Sequence, residues 1–244
     1  MACLYCRPPG PATQVPQWSN LYAAPVTVAL TTPWVAIPAG LLGFALGWLS
    51  AGLTEWLTPP EEAPRIRWRG PMLRDPLVQG GLALIWVVIP FLIEGNLVRW
   101  LEGGLLAAPL VQVAVTDLRT RYVYSVVAVI GLIVGLTLGW HYHGGPWWSG
   151  IAGALGCGAA FVVLYLLGRL VYRGGEPMAR GDITIAAMVG AGAASLALNA
   201  LVYGVLAGGV LALGTLAATR SRHTIVPYGP GLCLGGLITL FLRA

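Results

Sequence analysis

ITIAAMVGAGAASLALNALVYGVLAGGVLALGTLAA, residues 183–218, runs for 36 positions without a charged side chain. A helix crosses the hydrocarbon core of a bilayer in about 20 residues. The stretch is therefore too long for one crossing and about right for two, with the reversal predicted near Asn199. The same rule applied outward marks spans at 34–53, 77–93, 97–116, 124–140, 147–170 and 225–242. With the doubled stretch counted as two, the fold expectation is an all-α polytopic membrane protein of about eight transmembrane helices. A Pro-rich segment, 1–33, is expected to precede a single transmembrane domain, 34–244. Residues 21–33 could add an interfacial helix.

Composition excludes the main alternatives. Hydrophobic residues make up 57% of the 244 positions and charged residues 9%; soluble domains average roughly 25% charged. A disordered chain needs the opposite balance. The net charge of +5 comes from Arg alone, since the chain has no Lys. These Arg residues fall in short loops between apolar runs, a membrane-orientation pattern and not a nucleic-acid surface. Eleven of the 14 lie on one side of the eight-span plan: Arg65, Arg67, Arg69, Arg74, Arg119, Arg121, Arg169, Arg173, Arg180, Arg220 and Arg222. Arg7, Arg99 and Arg243 lie on the other. The positive-inside bias then predicts both termini outside and the loops at 117–121 and 172–182 on the cytoplasmic side.

The chain has three Asp. Asp75 sits in an Arg-rich loop and reads as solvated. Asp117 and Asp182, 65 positions apart, both fall where an apolar span meets the cytoplasmic face. A carboxylate at a membrane edge is costly unless it is paired, hydrated or used. Each has a plain alternative: Asp117 paired with Arg119 or Arg121, Asp182 an N-cap. Brought together, two carboxyls cannot both ionise easily, so one holds a proton while the other activates water. Helix direction predicts a division of roles. Asp117 ends its helix and should hold the shared proton; Asp182 begins its helix, where the dipole favours an anion, and should be the base.

Three motifs carry a resemblance. VTDLRTR (115–121) and ARGDI (179–183) are similar to the segments around the first and second catalytic Asp of the type IV prepilin peptidases. VPYGP (226–230) resembles the segment that opens their last helix. Order, spacing and the eight-span plan match as well, over about residues 34–242. The resemblance implies a membrane aspartic endopeptidase that removes the short basic leader of prepilin- or pseudopilin-like proteins at the cytoplasmic face. Cleavage in that family follows a Gly and commonly precedes Phe. It assigns catalysis to Asp117 and Asp182, with Ala179, Arg180 and Gly181 supporting them. Gly181 is expected to allow tight backbone packing, and Glu176 to contact a basic leader.

The chain departs from the family pattern in three places. Ala179 stands where the family has Gly, and Asp182 should keep its position if φ at Ala179 is negative. Thr184 stands where Lys is usual. The loop at 55–76 has no cysteines, whereas many members carry two CxxC pairs there. No zinc module and no methyltransferase activity are therefore expected, and Cys3 and Cys6 read as two thiols of the terminal segment. No cofactor or metal is expected; His141 and His143 read as part of a wet loop with the aromatic anchors Trp147 and Trp148. A non-enzymatic reading stays open beside the peptidase. In it the chain is a transporter, an assembly scaffold or an inactive family member, on which the two Asp bind a proton or a partner. Substrate and oligomeric state are not fixed by the sequence.

Overall fold

A computed structural model describes residues 33–57, 76–92, 97–120, 123–171, 178–219 and 228–242. The segment 1–32, Glu176, Val226, Pro227 and most of the loop arginines lie outside the described residues. Among those described, the chain is all-helical. The helices are α1 (Pro33–Leu57), α2 (Pro76–Leu92), α3 (Leu97–Thr120), α4 (Ser125–Tyr142), α5 (Ser149–Val171), α6 (Arg180–Ala193), α7 (Ala197–Thr219) and α8 (Gly229–Phe241). A 3-10 turn, Ala194–Leu196, joins α6 to α7.

Four stretches are long and apolar enough to cross a membrane: Leu97–Leu118, Ser125–Tyr142, Ser149–Val171 and Arg180–Gly214. Ala36–Ser50, Pro76–Ile89 and Gly229–Phe241 are shorter apolar helices. The fourth stretch contains the reversal. Helix α8 serves as a ruler for it, because its glycines touch both arms. Gly229 lies beside Ile185 and Gly236 beside Val189, so α6 rises along α8. Gly231 lies beside Gly208 and Gly235 beside Ala200, so α7 descends. The chain therefore turns back between α6 and α7, at Ala194–Leu196 and not near Asn199. Ala194 makes the turn with φ 45° and ψ −108°. Tertiary packing sets this point. The end of α6 is clamped where Ala191 and Gly192 press on Gly135 and Gly139 of α4. Gly190 also meets Gly153 of α5 so closely that a Cβ on either would run into the other's carbonyl. Small residues allow that approach.

Helix α6 is the hub, packed against α4, α5, α7 and α8. The core around it holds Leu106, Leu110, Val113, Phe161, Ile185, Met188, Val189 and Leu232. The α1–α2 hairpin joins at the side through Ala39, Trp86, Ile89 and Trp100. The rings of Trp86 and Trp100 meet edge-on at 5.1 Å, and the Trp100 indole N–H donates to the Trp86 carbonyl at 3.2 Å. Large apolar side chains face outward along α5 and α7, including Leu155, Leu170, Leu206 and Val210. An apolar surface of that extent is covered by lipid, not water.

Candidate functional site

Asp117 sits in the last turn of α3 and Asp182 is the third residue of α6. Each is only 5% exposed, although each lies within a turn of a helix end. The reason they meet is topological. Helix α3 runs antiparallel to α8, with Leu110 beside Gly236 and Asp117 beside Gly229, while α6 runs parallel to it. The end of α3 and the start of α6 therefore arrive at the same level of the bundle. The two carboxyls interact electrostatically.

Backbone geometry explains how Asp182 is held. Ala179 is the N-cap of α6, with φ −70° and ψ 140°. That is ordinary extended backbone, so Ala in place of the family's Gly costs no strain. The Asp182 N–H donates to the Ala179 carbonyl at 3.1 Å. In return the Ala179 N–H bonds to the Asp182 carboxylate. The second bond is the N3-to-N-cap half of a capping box, with Asp182 in the third helical position; Ala179 has no side-chain oxygen to supply the other half.

Gly181 does not play the expected part. A Cβ there would lie 3.5 Å from the nearest atom, Val123 Cβ, which is ordinary contact. The glycine that the site needs is Gly229, the first residue of α8. A Cβ there would strike the Asp117 carboxylate and come within 2.9 Å of Ile185 Cδ1. The sequence signal for Gly229 lay in the VPYGP motif, of which Tyr228, Gly229 and Pro230 are among the described residues. Pro230 adds a rigid first turn, suited to a helix start.

The start of α8 also changes the proton argument. The predicted division of roles considered only the helix to which each Asp belongs. The N-terminus of α8 brings a second set of dipoles to Asp117, and both carboxyls are equally buried. The dipole of each Asp's own helix therefore does not by itself assign the proton to one carboxyl.

Around the pair, Gln112 and Thr116 are buried on the same length of α3, and the Thr116 hydroxyl donates to the Gln112 carbonyl at 2.8 Å. Cys233, one turn along α8 from Gly229, is fully buried and feels the charge of both carboxyls. Nothing in the residues flanking Cys233 in the sequence points to that position. Arg180 and Leu118 are exposed at the margin of the site.

At the opposite end of the bundle, the Tyr142 hydroxyl donates to the Leu240 carbonyl at 2.7 Å. His141 Nδ1 lies 2.6 Å from Glu102 Oε1. His143 is buried just beyond α4 and bonds to the Gly192 backbone. Its pKa is pushed down to about 4, first by burial, with the nearby Arg99 charge adding to it. Among the described residues, no three or more His, Cys, Asp or Glu side chains gather as metal ligands.

Residues 104–215 match the model of the type IV leader peptidase family. The matched segment runs from α3 through most of α7 and contains both Asp117 and Asp182. The match, over less than half of the chain, supports a peptidase role of the leader-peptidase type. No curated protein and no solved structure matches the chain.

Proposed function

We propose that the chain is a membrane aspartic endopeptidase that cleaves the short basic leader of type IV prepilin-like proteins. The observation that carries the proposal is the meeting of two buried carboxyls from distant parts of the chain, braced by a glycine of a third helix. Asp117 and Asp182 share one proton. The ionised carboxylate takes a proton from water as the water oxygen attacks the scissile carbonyl carbon. The protonated carboxyl gives its proton to the carbonyl oxygen, forming a tetrahedral diol. Collapse breaks the C–N bond: the protonated carboxyl gives its proton to the leaving amine, a diol hydroxyl gives its proton to the ionised carboxylate, and the pair ends singly protonated. Low water access strengthens each electrostatic step.

The eight helices are proposed to be eight crossings of a bacterial inner membrane. The carboxyl pair is proposed to face the cytoplasm, and both termini the outside. Residues 34–244 form the peptidase domain in this reading, and 1–33 precede it. Arg180 and Ala179 frame Asp182, and Glu176 contacts the basic leader. A transporter more often holds its ionisable groups near the bilayer midplane, at broken helices. Here both Asp lie within a turn of a helix end.

The test is co-expression with a tagged prepilin-like substrate in a host lacking its own peptidase, with leader removal read as a mass shift. The native chain is expected to cleave. Asp117→Asn and Asp182→Asn are each expected to lose activity by about 1,000-fold or more, as members of one catalytic unit do. Cleavage surviving in either variant would remove the pair from the mechanism.

A further inference from the structure

The end of the bundle away from the aspartates holds a cavity of about 610 Å³ between α5, the 3-10 turn and the start of α7. That is within the size range of ligand sites, about 300–1,000 Å³. One wall is a single face of α5: Ser149, Gly153, Gly156 and Ala160. The eleven helical rises from Ser149 to Ala160 make it a trench about 16 Å long. Leu198 and Leu201 of α7 form the facing wall. At Gly156 a Cβ would meet nothing within 4 Å, so the floor of the trench is open there.

The trench has one polar corner. Ser149 is 5% exposed, and among the described residues nothing bonds its hydroxyl. Ser195 also lines the cavity. A Cβ on Gly145 would lie 2.9 Å from Ser149 Oγ and 3.5 Å from Ser195 Oγ, so both hydroxyls border Gly145. A buried hydroxyl left without a partner is costly, which points to an acceptor supplied from outside the chain. No charged residue lines the cavity, so the part of a ligand that enters it is uncharged. At the mouth, Trp148 lines the cavity, and it and Trp147 are 55% and 66% exposed. Paired exposed tryptophans suit the depth of lipid headgroups.

We propose that this trench binds one acyl chain of a membrane glycerolipid. The ester carbonyl accepts from the Ser149 hydroxyl and the tail lies along Gly153, Gly156 and Ala160. The headgroup stays outside, beside the tryptophans. The site is separate from the aspartate pair and does not rest on the peptidase reading.

The test uses the full chain in phosphatidylethanolamine–phosphatidylglycerol vesicles, doped with a phosphatidylethanolamine carrying a diazirine on one acyl chain. After irradiation, labelled peptides are mapped by mass spectrometry. Label is expected to concentrate on 149–160 and 194–201, above that on the outward face at 164–171. Gly156→Leu, which fills the trench, is expected to lower trench labelling about tenfold and leave 164–171 unchanged. Ser149→Ala is expected to lower it about threefold. Ala152→Leu is a second filling variant in case Gly156→Leu fails to fold, with the label at 164–171 reporting the fold. Trench labelling no higher than at 164–171, or undiminished in a folded filling variant, would overturn the proposal. So would a cross-link between two chains through the trench.

Discussion

Asp117, Asp182 and Gly229 differ in how far their roles can be read from residue type. The two Asp stand out because a charge at the edge of an apolar run demands a reason. Gly229 looks like any of the chain's 34 glycines until α8 is seen against the Asp117 carboxylate. Gly229→Ala is expected to push that carboxyl aside, lowering leader cleavage sharply and stability by about 1–3 kcal/mol. Gly181→Ala, with its Cβ at ordinary contact distance, is expected to change stability by less than about 0.5 kcal/mol and to keep activity. Cleavage assays and melting curves on the pair of variants check this contrast, and equal effects would refute it. His143 gives a pH signature. Its folded pKa, about 4, lies below the ordinary 6.5, so between those values the unfolded chain binds more protons. Stability is then complete above about pH 6.5 and is lost as pH falls toward 4, by up to about 3 kcal/mol. Melting temperature followed from pH 7 to 4 should show that slope in the native chain and a shallower one in His143→Gln.

Helices were legible from hydropathy because a membrane span is a long, uniform signal; among the described residues eight α-helices lie on runs of apolar residues, and four stretches are long and apolar enough to cross a membrane. Their ends were less legible. The sequence reading ended the third span at Thr116, whereas α3 continues through Thr120, which puts Asp117 inside the final turn. The α6–α7 reversal was placed near Asn199 because a polar residue in an apolar run suggests a turn. It falls five positions earlier, in a run of Ala and Ser that carries no turn signal. The clamp of α6 between α4 and α5, a tertiary effect, fixes the place. The cost is borne by Ala194, which holds a positive φ that residues with a Cβ rarely adopt. Ala194→Gly is expected to stabilise the chain by about 1 kcal/mol, read as a higher melting temperature. An unchanged or lower value would show that the turn is not strained.

At the scale of the molecule, composition alone placed the chain in a membrane, and Arg counting gave a proposed orientation. The trench at the far end was beyond reach of the sequence. It depends on which faces of α5 and α7 are left apart by the short turn between α6 and α7. The loop after α4 has a different consequence. Gly144, exposed and at φ 69°, lies between α4 and α5, and everything before it supplies Asp117 while everything after it supplies Asp182. Each half of the polypeptide thus inherits one carboxyl of the pair, and neither holds both. The broad seam between α4 and α6 gives the halves a surface on which to reunite. Two fragments divided at Gly144 and produced together should complement each other and cleave a leader, while either alone stays silent. An Asp117→Asn first fragment should not be rescued by an intact second one. Activity, on this view, is a property of the union, distributed across the chain as a two-key lock is across its holders.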